Sequence, residues 1–121
     1  MRRIKNNILE ICGEENEVIF SMEEKFENKV FYIKLRGEIR NEVAYEFEDE
    51  LMAALLGCNQ VELNFEHVDY VASMVLKILL SAQQMIDEAG NSTMCINGAS
   101  ENVKARFKEA GFYDILEFKG V

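Results

Sequence analysis

The chain has 121 residues, with 13 Lys and Arg against 22 Asp and Glu, a formal charge of −9 at pH 7. This length supports one hydrophobic core rather than two, and 49% hydrophobic with 29% charged residues argues against long disorder. The acidic field repels phosphate backbones and anionic head groups, and no run approaches the ~20 apolar residues needed to cross a bilayer, so neither nucleic-acid binding nor membrane insertion is expected.

The start, Met1 to Asn7, is basic, but the apolar stretch behind it is short and broken by Glu10, so it cannot act as a signal peptide. Ile8 to Cys12 and Val18 to Met22 read as short strands around the polar stretch Gly13, Glu14, Glu15 and Asn16. In Val30 to Arg36, Phe31, Ile33 and Leu35 alternate with Tyr32, Lys34 and Arg36, the period of a strand with one buried face. Glu27 to Lys29 supply a hairpin turn before it, and Gly37 is expected to end it.

A helix is predicted from Asn41, as N-cap, to Leu56. Val43, Ala44, Phe47, Leu51, Ala54 and Leu55 recur at helical spacing, and Glu42, Glu46, Glu48, Asp49 and Glu50 form a solvated face. Val61, Leu63 and Phe65 alternate with polar residues as a further strand, followed by a turn at His67 to Ala72. Ser73 to Ala89 is helical, with Leu76, Leu79, Leu80, Met85 and Ile86 apolar, Lys77, Ser81, Gln84 and Glu88 polar, and Gly90 at its end. Thr93 to Asn97 is a short strand. Ser100 then caps a third helix with Val103, Phe107 and Ala110 inward and Gly111 at C′, and Ile115, Leu116 and Phe118 form an edge strand or an apolar tail.

A β-hairpin followed by βαβαβα is an α/β order. Its crossovers give a mixed β-sheet, and the polar side of the Val61 strand places the helices mainly on one face. Residues 1–16 are expected to be an N-terminal extension forming a strand or hairpin, and 17–121 a single domain.

Few groups converge for catalysis. His67, the single histidine, reads as a half-exposed turn residue, and Cys12, Cys58 and Cys95 lie too far apart for a disulfide framework or a zinc finger. Reduced thiols in a cytoplasmic protein are the simplest reading. Neither GxGxxG nor a Walker-type loop occurs. No catalytic residue, cofactor or metal is expected. The segment His67 to Leu76 stands out, because a strand ends, the chain turns, and a helix begins at Ser73. A serine there either caps the helix, for about 1 kcal/mol, or presents a hydroxyl where the positive helix end tolerates a phosphate.

Several local matches together resemble the STAS domain family of anti-sigma factor antagonists and related regulatory modules, over about residues 17 to 118. Gly37, Glu38 and Ile39 are similar to the family's Gly-Glu-Leu, and Val61 to Phe65 to its strand before the signature turn. Val68 to Leu76 aligns with a stretch ending in Asp-Ser-Ser-Gly-Leu. Val103, Lys104, Phe107, Ala110, Gly111 and Phe112 resemble its last helix.

The resemblance implies a STAS-like fold and a non-enzymatic part in transcription regulation. Ser73 would be phosphorylated by an anti-sigma factor that is itself a serine kinase of the histidine-kinase-like ATPase type. It also implies a partner surface at Asp69, Tyr70, Val71, Ala72, Ser73, Met74 and Lys77, on a monomer or weak homodimer. Ala72 stands where Asp is usual, Met74 and Val75 replace Ser and Gly, and Arg40 replaces Asp. These changes remove a carboxylate beside the acceptor and make Val71, Ala72, Met74 and Val75 an apolar docking patch. Two other readings stay open: an unphosphorylated STAS accessory subunit of a membrane transporter, and a small-ligand or lipid-binding module, or an enzyme, using a pocket at the strand ends, for which His67 and Cys95 are the candidate groups.

Overall fold

The computed structural model of the protein describes residues 2–5, 8–90 and 92–119, and of residues 2–5 the backbone only. The side chains of the basic start, residues 1–7, therefore all lie outside what the structure describes. Four strands come first: β1 (Arg2–Lys5), β2 (Ile8–Cys12), β3 (Val18–Glu27) and β4 (Val30–Ile39). Each pairs antiparallel with the next. Asn28 and Lys29 make the β3–β4 turn at φ 53° and 67°, the hand that matches the twist of the flanking strands.

A 3-10 turn (Asn41–Val43) then leads into α1 (Ala44–Gly57), followed by β5 (Gln60–Val71), α2 (Ser73–Ala89), β6 (Thr93–Asn97), α3 (Glu101–Glu109) and β7 (Phe118–Lys119). Among the described residues the strands form one seven-stranded sheet in chain order, with the β4–β5, β5–β6 and β6–β7 pairs parallel. Right-handed crossovers that all step the same way along a sheet bring their helices to one face. Phe20, Met22, Ile33, Leu35, Leu63, Phe65 and Ile96 accordingly share one buried cluster with Phe47, Leu51, Leu79, Val103 and Phe107 from the helices. The row Glu23, Lys34, Asn64, Asn97, Lys119 crosses the opposite, polar face.

Several expectations are corrected. β4 does not stop at Gly37, and the residues expected as a turn, His67 to Val71, continue β5: Arg36 pairs with His67, Gly37 with Val68, Glu38 with Tyr70 and Ile39 with Val71. Two register shifts each add a residue to β5, leaving Glu66–His67 and Asp69–Tyr70 as exposed doublets. Bulges of this kind break the period of two on which strand recognition depends. Asn41 opens the 3-10 turn, and α1 begins at Ala44 with no side-chain cap. Glu46, Glu48 and Glu50 are half-buried rather than fully solvated, whereas Ala110 and Met85, expected inward, are exposed. Ser100 does cap α3, accepting from the Val103 N–H at 3.2 Å.

Candidate functional site

The C-terminal ends of β4 and β5 and the start of α2 meet at one end of the sheet's strands. The Ala72 N–H donates to the Ile39 carbonyl at 2.9 Å, and the Val75 N–H donates to the Ala72 carbonyl at 3.0 Å, which turns the chain directly from strand into helix. Ala72, in extended conformation, is the N-cap, and Ser73 is the first helical residue. Ser73 therefore does not cap the helix, as no side-chain cap bond forms there. Its side chain is exposed.

Of the residues expected at a partner surface, Asp69, Tyr70, Ser73 and Lys77 are exposed and Met74 is half-buried against the core. Val71 and Ala72 are not on that surface. They are 0% and 4% exposed, and Val75 is also buried, because the direct strand-to-helix junction aims these side chains into the core. Of the apolar docking patch only Met74 reaches the surface.

Two basic groups flank the junction. Arg40 pairs with Glu38 in an exposed ion pair. Arg106, on α3, donates from Nε to the Val71 carbonyl at 2.6 Å, and its guanidinium lies 5.2 Å from the centre of the Tyr70 ring. Arg106 thus ties the third helix to the end of β5 through a charge-assisted bond and a cation–π contact. No sequence signal links residues 35 positions apart, so this contact is visible only in the fold.

The remaining candidates lie elsewhere. His67 is exposed on β5 opposite Arg36. Cys95 is buried, and its Sγ sits 3.6 Å from Glu62 Oε1. Burial first, and then the Glu62 charge, push the thiol up to about 11, so it stays protonated and unreactive at neutral pH. Cys58 is half-buried just past α1. Among the described residues no group of three or more His, Cys, Asp or Glu side chains could hold a metal ion, and no helix is long and apolar enough to cross a membrane.

A second carboxylate contact was not foreseen from sequence. Glu24 of β3 lies in the helix-covered row beside Ile33 and meets Glu50 of α1. Burial, then the hydrogen bond and charge of Glu50, raise the Glu24 carboxyl from 4.5 to about 7. A carboxyl raised on folding favours the folded state while protonated, so its contribution is full below pH 4.5 and is lost as pH rises through about 7. Glu24→Gln is therefore expected to raise the melting temperature over wild type at pH 8 and to leave it unchanged at pH 4. Parallel thermal melts check this, and an equal difference at both pH values would remove the pair as its cause.

A family model of the STAS domain matches residues 21–120. The chain belongs to the STAS domain family. Among curated proteins none matches the sequence. This STAS domain shares its fold with an anti-sigma factor antagonist from Mycobacterium paratuberculosis, at 14% identity and TM-score 0.73, covering 89% of each chain. It is likewise similar to the Bacillus cell fate determinant SpoIIAA in its phosphorylated form, at 13% identity and TM-score 0.63, covering 81% of this chain and 90% of that one. A sulfate transporter family protein from Wolinella succinogenes has the same fold, at 16% identity and TM-score 0.65, covering 80% and 82%. The order of strands and helices in this STAS domain agrees with the α/β order and the mixed sheet expected from the sequence.

Proposed function

We propose that this STAS domain is a non-enzymatic, cytoplasmic protein-interaction module of the anti-sigma factor antagonist type, and that phosphorylation of Ser73 by a kinase-like partner switches its binding. The carrying observation is the exposed Ser73 side chain at the first position of α2, with no capping bond to hold it. A phosphate placed there adds about −1.5 to −2 charges at the positive end of a helix. Lys77, one turn further along the same helix, is exposed and can reach an added phosphate. Asp69, Tyr70, Met74 and Lys77 surround Ser73 as the docking surface, and Arg106 positions it from behind. Residues 1–16 are then an extension of the sheet outside the regulatory unit 17–121.

The test mixes the protein with an anti-sigma factor kinase of the histidine-kinase-like ATPase type and ATP, and locates phosphate by mass spectrometry. One phosphate is expected on Ser73 and none in Ser73→Ala, which keeps its melting temperature because no cap is lost. Ser73→Asp is expected to weaken partner binding about tenfold or more. Incorporation that persists in Ser73→Ala would move the switch elsewhere.

A second reading has its own support. Ala72 leaves no carboxylate beside the acceptor, and Met74 enlarges the helix start, which suits docking without phosphorylation, as in an accessory subunit of a transporter. Absence of phosphate transfer, together with binding that Met74→Asp abolishes and Ser73→Asp spares, would favour it. A small-ligand role has weaker support, since the four described clefts, about 270 to 440 Å³, all open to solvent.

A further inference from the structure

The outer surface of the helix layer carries an apolar seam that starts at Met74 and Lys77 and runs away from Ser73, beyond the surface that either docking reading uses. A cleft of about 270 Å³ between α1 and α2 is lined by Tyr45, Glu48, Met74, Lys77, Ile78 and Ser81. Both helices return from parallel strands, so they run side by side in the same direction. Helical spacing continues the α1 line from Tyr45 and Glu48 to Met52 and Leu56, and the α2 line from Met74, Ile78 and Ser81 to Met85. Tyr45 is 63% exposed, Leu56 84% and Met85 42%, a concentration of large apolar side chains in water that the interior does not need. From Tyr45 to Leu56 the seam spans about 16 Å, the length of three helical turns.

The helices flanking the seam are predominantly acidic, although the cleft itself is lined by one acid, Glu48, and one base, Lys77. α1 carries Glu46, Glu48, Asp49 and Glu50 and not one basic residue, and α2 carries Asp87 and Glu88 against Lys77 alone. We propose that the α1–α2 seam docks a cationic amphipathic helix of a partner protein, with its apolar stripe on Tyr45, Met52, Leu56 and Met85 and its Lys or Arg residues toward the acidic residues of α1. Methionines suit such a seam because their unbranched side chains adapt to the helix that enters. A second copy of this chain fits poorly, since a symmetric pairing would bring the acidic residues of the two α1 helices together.

The experiment uses a labelled Leu/Lys peptide of about 14 residues with an amphipathic pattern, and a second peptide of the same composition scrambled to remove the apolar stripe. Fluorescence anisotropy reads affinity, and methionine methyl NMR reads location. The amphipathic peptide is expected to bind at least about tenfold more tightly than the scrambled one and to shift Met52 and Met85. Leu56→Asp is expected to weaken it about tenfold without loss of fold, since Leu56 packs on little, and the melting temperature verifies this. Equal binding of both peptides, or shifts confined to the helix-free face, overturns the proposal by reducing it to net charge. A dimer in sedimentation that Leu56→Asp dissociates overturns it in favour of a second copy. No kinase or phosphate enters the assay, so its failure leaves the Ser73 reading standing, and the converse holds.

Discussion

Gly37→Ala is expected to destabilise the domain by about 3 kcal/mol or more, a loss reached only by a few named mechanisms such as backbone strain and overpacking. Two of them coincide here. Gly37 has φ +93°, which disfavours any side chain, and a Cβ built on it would sit 2.1 Å from the Ile19 carbonyl oxygen. Gly37 pairs with Phe20 on one side and Val68 on the other, so the backbone it would push is that of the neighbouring strand β3. Gly90 serves as the control. Its φ of +79° is similar but nothing lies within 4 Å of its Cβ, so Gly90→Ala is expected to cost only about 1 kcal/mol. Urea titration of both variants measures the difference, and equal losses would mean that conformation alone, not the close approach of β3, holds glycine at Gly37.

Phe107→Ala is expected to cost about 3–5 kcal/mol and to loosen the candidate site from a distance. Phe107 is 0% exposed, and its ring meets Phe118 edge to face at 5.2 Å. Phe118 in turn stacks on Tyr113 at 4.8 Å, so one deletion removes the inner end of an aromatic chain. β7 is held by little else in backbone terms, chiefly the Ile96 N–H to the Glu117 carbonyl at 2.9 Å and the Gly98 N–H to the Lys119 carbonyl at 3.2 Å. Arg106 is the neighbour of Phe107 on α3, and a displaced helix withdraws it from the Val71 carbonyl. Hydrogen exchange is expected to accelerate at Ile96 and Gly98 together with the fall in stability. A loss under about 1 kcal/mol would mean that the cavity collapses.

Much of this architecture is legible in the residues where local chemistry and tertiary packing agree. α2 runs from Ser73 to Ala89, as its apolar spacing and Gly90 indicate, and Thr93–Asn97 is a strand as read. Reading fails where a non-local interaction overrides a local signal. The extra residues in β5 bulge out of their pairing with β4, so the exposed doublets look like a turn. Ser73 has the chemistry of an N-cap, but the Ala72–Ile39 hydrogen bond sets the helix start one residue earlier. The burial of Val71 and Val75, the grip of Arg106 and the Glu24–Glu50 contact all join residues far apart in the chain, and no periodicity announces them.

The strand order, β1 to β7 in sequence, also bears on how the molecule comes into being. Every new strand pairs with the one synthesised just before it, so the sheet can grow at its leading edge as the chain leaves the ribosome, with no strand waiting for a distant partner. At each stage the newest strand is the sticky one, with unpaired N–H and C=O groups. During synthesis that edge passes through long β5, apolar on its helix-covered side, and then shorter β6. The last described strand, β7, shows two residues and so offers few such groups. A ribosome stalled between β5 and β6 would therefore display the most aggregation-prone form this protein passes through.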